Sequence, residues 1–274
     1  HEALLKGVEL RFSGIQDYEI HLTPISVDQR EGLTVATGPE YHNALDGAKT
    51  MEKLQSELEQ YKRLYVDGDI VVFVTSKDII TSVGRNKEWL GVAERGQVCK
   101  RKIALVSDNA KTFTGTDELA LQVALLLNAS RDQIDNECNA TDYFLLSSIY
   151  GGFHYNLSDC SERDMVKFLE QAHDPCWNDE VKDRYNGELP AKYHNTTGYD
   201  ICSVYHRHNT NVETCKARWP GPARNKTCVV HCCDYRLRTP FLYMPPAADG
   251  TECGDGKICI KKECVDVGTS DSSL

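Results

Sequence analysis

The imidazoles of this chain stand in three places where they could do chemistry. His1 and Glu2 open the stretch HEALL, which begins like the helical zinc motif H-E-x-x-H. Its fifth residue is Leu5, which has no lone pair, and no third ligand follows, so the segment reads as the start of a helix. His206 and His208 flank Arg207 closely enough to grip a metal, but their surroundings read as an exposed polar turn. His231 adjoins Cys232 and Cys233 and reads as packed among disulfides. Serine, histidine and aspartate are all present, yet the G-x-S-x-G turn that would expose a serine nucleophile is absent.

Cysteine is the chemistry-bearing residue in excess. There are 12, and Cys202, Cys215, Cys228, Cys232, Cys233, Cys253, Cys259 and Cys264 crowd into one short stretch after Cys99, Cys138, Cys160 and Cys176. Zinc knuckles would need repeated C-x-x-C pairs, whereas the close spacings here are Cys228-x3-Cys232-Cys233 and Cys253-x5-Cys259-x4-Cys264. The pattern is that of disulfides stapling a thin-cored lobe in an oxidising compartment. Sequons agree: Asn128, Asn139, Asn156, Asn195 and Asn225 each begin an N-x-[ST] triplet. Asn128 is the doubtful acceptor, because a sugar there needs the end of a buried helix to be exposed. A secreted, extracellular glycoprotein is expected.

Bulk numbers narrow the classes further. Asp and Glu number 41 against 31 Lys and Arg, a formal charge of −10, which argues against nucleic acid or an anionic membrane as partner. No apolar run nears the ~20 residues that span a bilayer, so no membrane insertion is expected. No leader is visible at His1, which fits a processed secreted chain.

The elements that must position any site read as mixed α/β over the first part of the chain. Residues 18–27 alternate apolar and polar like a strand, with Tyr18, Ile20 and Leu22 on one face. Residues 44–65 place Ala48, Met51, Leu54, Leu58, Tyr61 and Leu64 at helical spacing. The β-branched runs at 69–75 and 102–106 predict buried strands. Residues 117–128 are apolar on nearly every side and predict a helix buried all round, with Asp117 and Glu118 suiting its N-terminus. A last helix over 161–171 has Ser161 as N-cap and turns Met165, Phe168 and Leu169 inward. The polar stretch 178–197 reads as a linker, 198–265 as the disulfide lobe and 266–274 as a flexible tail.

The order of these segments resembles the metzincin metalloproteases, in their reprolysin or ADAM-type branch, and within it the secreted salivary metalloproteases of ticks. The matching segments are DIVVFVTSKDI (69–79), CKRKIALVSDNAKTF (99–113), DYFLLSS (142–148) and NLSDCSERDMVKFLE (156–170). ELPAKYHNTTGYDIC (188–202) and ADGTECGDGKICIKKECV (248–265) resemble the disintegrin-like or cysteine-rich module of ADAM-TS proteins. The resemblance implies a metzincin-like α/β domain over 1–177, opening at the family's first helix with its usual first strand missing, and a cysteine-rich domain over 198–265. It also implies the pairs Cys99–Cys176 and Cys138–Cys160, with the other eight cysteines paired inside the lobe.

Between those flanks lies LQVALLLNASRD, residues 121–132, where such proteases carry H-E-x-x-H-x-x-G-x-x-H. Ala124, Leu126, Leu127, Ala129 and Asp132 agree with the family and fix the register. Leu121 then falls on the first histidine, Gln122 on the glutamate, Leu125 on the second histidine, Asn128 on the glycine and Arg131 on the third histidine. Leucine offers no lone pair, a guanidinium cannot be deprotonated and repels a dication, and an amide cannot take a proton from water as a general base. No catalytic residue, metal or other cofactor is therefore expected. The two leucines would refill an ion's volume, each worth about 1.5–3 kcal/mol when buried. Asn128 tolerates the left-handed backbone that ends a helix. Leu146 stands where methionine would floor the metal.

Together these readings predict a secreted pseudoprotease that acts by binding a protein, with host haemostatic, complement or immune proteins, or a receptor, as the implied targets. Its cleft would take an extended peptide by adding a strand to a sheet edge. Two rivals stand beside this: an active zinc endopeptidase with unorthodox ligands, and an integrin or cell-surface antagonist working through the lobe. No Arg-Gly-Asp tripeptide occurs in the chain.

Overall fold

A computed structural model describes residues 1–37, 44–80, 88–89, 91–133, 137–147, 155–171, 187–205, 211–215, 228–238 and 245–267. Cys176, His206, His208 and Asn225 lie outside these residues, so the expected Cys99–Cys176 pair does too, although Cys99 is disulfide-bonded. The chain divides into two compact units. One comprises Ile15–Asn109 and Thr114–Tyr185, the other His1–Gly14, Ala110–Phe113 and Asn186–Leu274.

The first unit is the mixed α/β body. Helix α2 (Gly47–Gln60) follows the two-residue strand β1 (Leu45–Asp46) and is capped by the Asp46 carboxylate, which accepts from the Lys49 amide at 3.1 Å. Its buried stripe is Thr50, Leu54 and Leu58, with Met51 half-buried. Ala48 is exposed, and Tyr61 and Leu64, expected on the same face, are 41% and 61% exposed. The reason is local: the helix stops at Gln60 and tightens into a 3-10 turn over Lys62–Leu64, which rotates those side chains off the stripe.

Strands β2 (Val71–Thr75) and β6 (Ile103–Ser107) pair in parallel, and β5 (Gly91–Ala93) adds to β6 antiparallel, giving the sheet order β2-β6-β5. A second small sheet joins β1, β3 (Ile79–Ile80) and β4 (Glu88–Trp89). Ile103 and Leu105 of β6 pack with Leu54 and Leu58 of α2. Alternation then turns Ala104 and Val106 to the opposite face, where helix α3 (Gly115–Leu126) packs on β6 and β5. Burial on both faces explains the unbroken apolar run in β6. β2 is instead half-buried, since it lies at the sheet's edge and leaves Val74 37% exposed. Lys102 is buried beside it, its ammonium donating to the carbonyls of Tyr65 and Gly68.

Residues 18–27 form no strand. Ile25 and Val27 are 67% and 63% exposed, and alternation alone does not make a strand where the described residues offer none to pair with. Helix α4 (Asp159–Gln171) starts two residues earlier than expected. Its cap is Ser158, whose hydroxyl accepts from the Ser161 amide at 3.2 Å, while Ser161 lies inside the helix. Met165 is buried; Phe168 and Leu169 are half-buried.

The second unit holds the lobe, and it also holds α1 (Glu2–Phe12), which was expected to belong to the α/β domain. Leu4, Val8, Leu10 and Phe12 bury its apolar face, and α1 packs on α5 (Pro190–Thr197). Part of the expected linker is therefore a helix, opened by Pro190 at its first turn and closed by Gly198 with φ +66. The bond that fixes α1 is ionic: Arg11 pairs with Asp249, and both are about 95% inaccessible to water (6% and 5% exposed). Asp249 also accepts from the Lys261 amide at 2.8 Å, and the Lys261 ammonium donates to the Ser13 carbonyl at 3.0 Å. Burial, with Arg11 nearby, lowers the Lys261 pKa to about 8.

Disulfides supply what the small core cannot. Cys202–Cys232 and Cys215–Cys233 staple α6 (Ile201–Tyr205) and the hairpin of β7 (Val212–Thr214) with β8 (Cys232–Asp234). Cys228–Cys259 and Cys253–Cys264 hold the antiparallel meander β9 (Glu252–Gly254), β10 (Lys257–Ile260) and β11 (Glu263–Asp266). All eight cysteines of the lobe pair within it, as the resemblance implied.

Removing one partner of a buried ion pair strands the other charge. Arg11→Leu should therefore lower the urea-unfolding stability of the second unit by about 3–5 kcal/mol, and Asp249→Asn by a similar amount. The double variant Arg11→Leu with Asp249→Asn, which removes both charges and keeps an acceptor for the Lys261 amide, should recover much of the loss in the same measurement.

Candidate functional site

Helix α3 carries the site, and both of its ends are tied by tertiary contacts. At the start, the Gly115 amide donates to the buried Asp108 carboxylate at 2.8 Å. A Cβ at residue 115 would meet the Asp108 Cβ at 2.6 Å, so only glycine allows this approach. At the far end the Asn128 amide donates to the Leu125 carbonyl and the Ala129 amide to the Ala124 carbonyl, each at 2.9 Å. With Asn128 at φ +70, these bonds make a Schellman closure and place asparagine in the left-handed backbone expected of it. Arg95 reinforces the end by donating to the Asn128 carbonyl at 2.9 Å.

Asp132 fixes the chain beyond that closure. It is fully buried, and one carboxylate oxygen accepts from the hydroxyls of Ser158 and Ser161 at the start of α4. Its amide donates to the Leu146 carbonyl at 3.1 Å, bringing segment 130–132 alongside the turn around Leu146. Leu146 is wholly buried, and Ser147 closes the turn on the Ala140 carbonyl at 2.7 Å. The Cys138–Cys160 disulfide, expected from the resemblance, braces the same region.

Of the five positions singled out in the sequence, Leu121 and Leu125 lie on one face of α3, 6% and 7% exposed. Gln122 is fully buried, and its amide nitrogen donates to Glu118, one turn earlier. Among the described residues the amide oxygen of Gln122 has no hydrogen-bond partner. Arg131 comes back over the helix, its charge facing Glu118. Burial raises the Glu118 pKa, opposed by the bond from Gln122 and by the Arg131 charge. Burial lowers that of Arg131, opposed by Glu118. Gln122, Leu125 and Arg131 line one cavity of about 460 Å³ with Gly91, Val92 and Ala93 of β5, Arg95, Ser130 and Gln133.

A catalytic zinc ion needs three donor side chains and a base to take a proton from its water. At the expected ligand positions this cleft offers two hydrocarbon side chains and a guanidinium, and an amide where the base would stand. The Glu118 carboxylate lies close by, and it is engaged with Gln122 and Arg131. These residues do not fit the ion. Elsewhere, the sulfurs of Cys228, Cys253 and Cys259 lie within 4.8 Å of one another, but all three are in disulfides and have no thiolate to give. His1 is exposed and caps the start of α1 without a side-chain bond; His231 has a buried, unpartnered Nδ1 beside the stapled hairpin.

Glu118 was read only as a helix-dipole residue, although its place four before Gln122 already put both on one face. The position of β5, and with it Gly91, Val92 and Arg95 in the cleft, had no signal beyond a short apolar run. A Cβ at Gly91 would meet the Glu118 side chain at 2.8 Å, so glycine there lets that carboxylate lie across the strand. Asn139, Asn156 and Asn195 are exposed, and Asn128 is half-buried.

No family model matches the chain. Among curated proteins it is similar to A disintegrin and metalloproteinase with thrombospondin motifs 12 of Mus musculus, 23% identical over 90% of this chain and 15% of that protein. It is also 23% identical to the motifs 7 protein of Homo sapiens, over 91% of the chain and 14% of that protein. The motifs 5 protein of Bos taurus is 25% identical over 56% of the chain and 72% of that protein. The chain thus spans about a seventh of the first two. These likenesses support a metalloprotease-related protein and agree with the mixed α/β body followed by a disulfide-rich lobe.

Burial raises the Asp132 pKa above its ordinary range, against the lowering effect of the two serine hydroxyls. The folded state therefore holds that proton more tightly than the unfolded chain does. The stability this gives is present at low pH and is lost as pH rises through the raised value. Asp132→Asn keeps an acceptor for both serines and cannot ionise. Across a pH series of thermal melts, its stability should gain on that of the native chain as pH rises from about 4 towards neutrality.

Proposed function

We propose that this chain is a secreted, catalytically inactive metalloprotease homologue that acts by binding an extracellular protein. The observation that carries this reading is the composition of the cleft. Where the related proteases are expected to hold an ion, Leu121 and Leu125 pack hydrocarbon and Arg131 sets a fixed positive charge facing Glu118. A cleft so built retains a wall and a sheet edge, but the motif positions themselves supply no metal ligand and no base to activate water. Its remaining capacity is recognition, and the partner would be a host haemostatic, complement or immune protein met outside the cell.

Extracellular location draws support from the five described disulfides and from likeness to disintegrin-type metalloproteinases with thrombospondin motifs. Among the described residues no helix is long and apolar enough to cross a membrane.

The test is metal analysis of the purified chain together with digestion of denatured protein substrates. Sub-stoichiometric zinc, no cleavage and no effect of a chelator on partner capture are expected. Stoichiometric zinc with chelator-sensitive cleavage would replace this reading with the active-protease one. Partner capture that survives cleft substitutions but fails on substitutions in 198–265 would move the function to the lobe. Point variants suit this better than truncation at 177, because α1 belongs to the lobe's unit.

Glycan mapping gives a separate check on secretion. Chain expressed through a eukaryotic secretory pathway should carry N-glycans at the exposed Asn139, Asn156 and Asn195 and none at Asn128, whose carbonyl Arg95 holds. Peptide mass spectrometry after endoglycosidase treatment reads each site directly.

A further inference from the structure

One sequon meets the cleft. Asn139, Ala140 and Thr141 form an N-x-T triplet in the α/β unit, and both Asn139 and Thr141 are exposed. The Thr141 amide donates to the Asn139 side-chain oxygen at 3.0 Å. This turn uses the oxygen of the carboxamide, whereas a sugar bonds to its nitrogen, so the turn and a glycan are compatible. Neighbouring contacts fix where Asn139 stands. It forms a parallel bridge with Gln133, and the Ala140 amide donates to the Gln133 carbonyl at 3.3 Å. Cys138, just before it, is stapled to Cys160. Gln133 lines the cavity of about 460 Å³ and is itself exposed. It therefore marks the place where the wall made by Ser130, Arg131 and Gln133 comes to the surface. Bridged backbones lie about 4.8 Å apart, so a sugar on Asn139 is rooted one strand spacing from the cavity's mouth.

We propose, building on the secreted, protein-binding reading above, that Asn139 carries an N-glycan that overhangs the mouth of the cleft and screens β5 across it. A glycan is bulky and solvated, and its root here is held by a bridge and a disulfide. The modification thus sets how much of the cavity wall a partner can reach.

Hydroxyl-radical footprinting of the intact chain, secreted from eukaryotic cells and read by mass spectrometry, tests this. Thr141→Ala deletes the sequon and leaves the main-chain bond to Asn139 in place, while Thr141→Ser keeps the sequon as the matched control. The decisive readout is the peptide bearing Val92 and Arg95, which lines the cavity and is remote from Asn139 in sequence. Its oxidation should rise in Thr141→Ala and stay at the native level in Thr141→Ser. Enzymatic release of the glycans from the native chain should raise it too, without any substitution. Thr197→Ala, which removes the Asn195 sequon in the other unit, should leave it unchanged. With Asn139 glycosylated, no rise on glycan release would overturn the screen, whatever the variants do. Sugar on other sequons but none on Asn139 would overturn the proposal and leave the secretion reading standing. Sugar on no sequon would overturn both.

Discussion

Helix α3 has no wet face, and that constraint organises the α/β unit. Ten of its residues, from Gly115 to Leu126, are buried, so the helix cannot rely on solvent to satisfy its ends. Asp108 takes up the amide at the start, and the Asn128 closure takes up the carbonyls at the finish. Asp132 then anchors the outgoing chain to the serines that begin α4. With both ends fixed, the face bearing Leu121, Gln122 and Leu125 has one orientation, and Arg131 has one way to return over it.

The cleft is coherent without an ion. Hydrocarbon at 121 and 125 keeps the packing density that protein interiors require. The polar side chains form a chain of their own, from Gln122 to Glu118 and by charge to Arg131. A buried pair of this kind gives little net stability, because desolvating two charges offsets their attraction. What it does supply is a charge that lines the same cavity as β5.

The second unit solves a different problem with different means. Its sheets are two and three strands long and its hydrophobic clusters small, so covalent staples and one buried ion pair replace a large core. Arg11 and Asp249 are far apart in sequence, and their pairing draws the first helix of the chain into the unit formed by its last part. Both charges are buried there, so removing one leaves the other desolvated and unpaired.

The sequence alone determined what is local. Helical spacing gave α2, an all-round apolar run gave α3, β-branched runs gave β2 and β6, and cysteine density gave the disulfide lobe. The left-handed tolerance of asparagine gave the end of α3, while the register that singled out Leu121, Gln122, Leu125, Asn128 and Arg131 came from the family resemblance. The local readings are properties of residues a few positions apart, which short-range backbone preferences govern. The tertiary structure decided whatever needs a distant partner. The alternating segment 18–27 forms no strand with any described residue, while Ser158 rather than Ser161 caps α4 because Ser161 is called to Asp132 and the Ser130 carbonyl. Likewise α1 joins the lobe because Asp249 sits where Arg11 can reach it, and Gly91 and Arg95 enter the cleft because β5 pairs with β6. A side chain's type fixes what it can bind; only folding brings to it the group that it does bind.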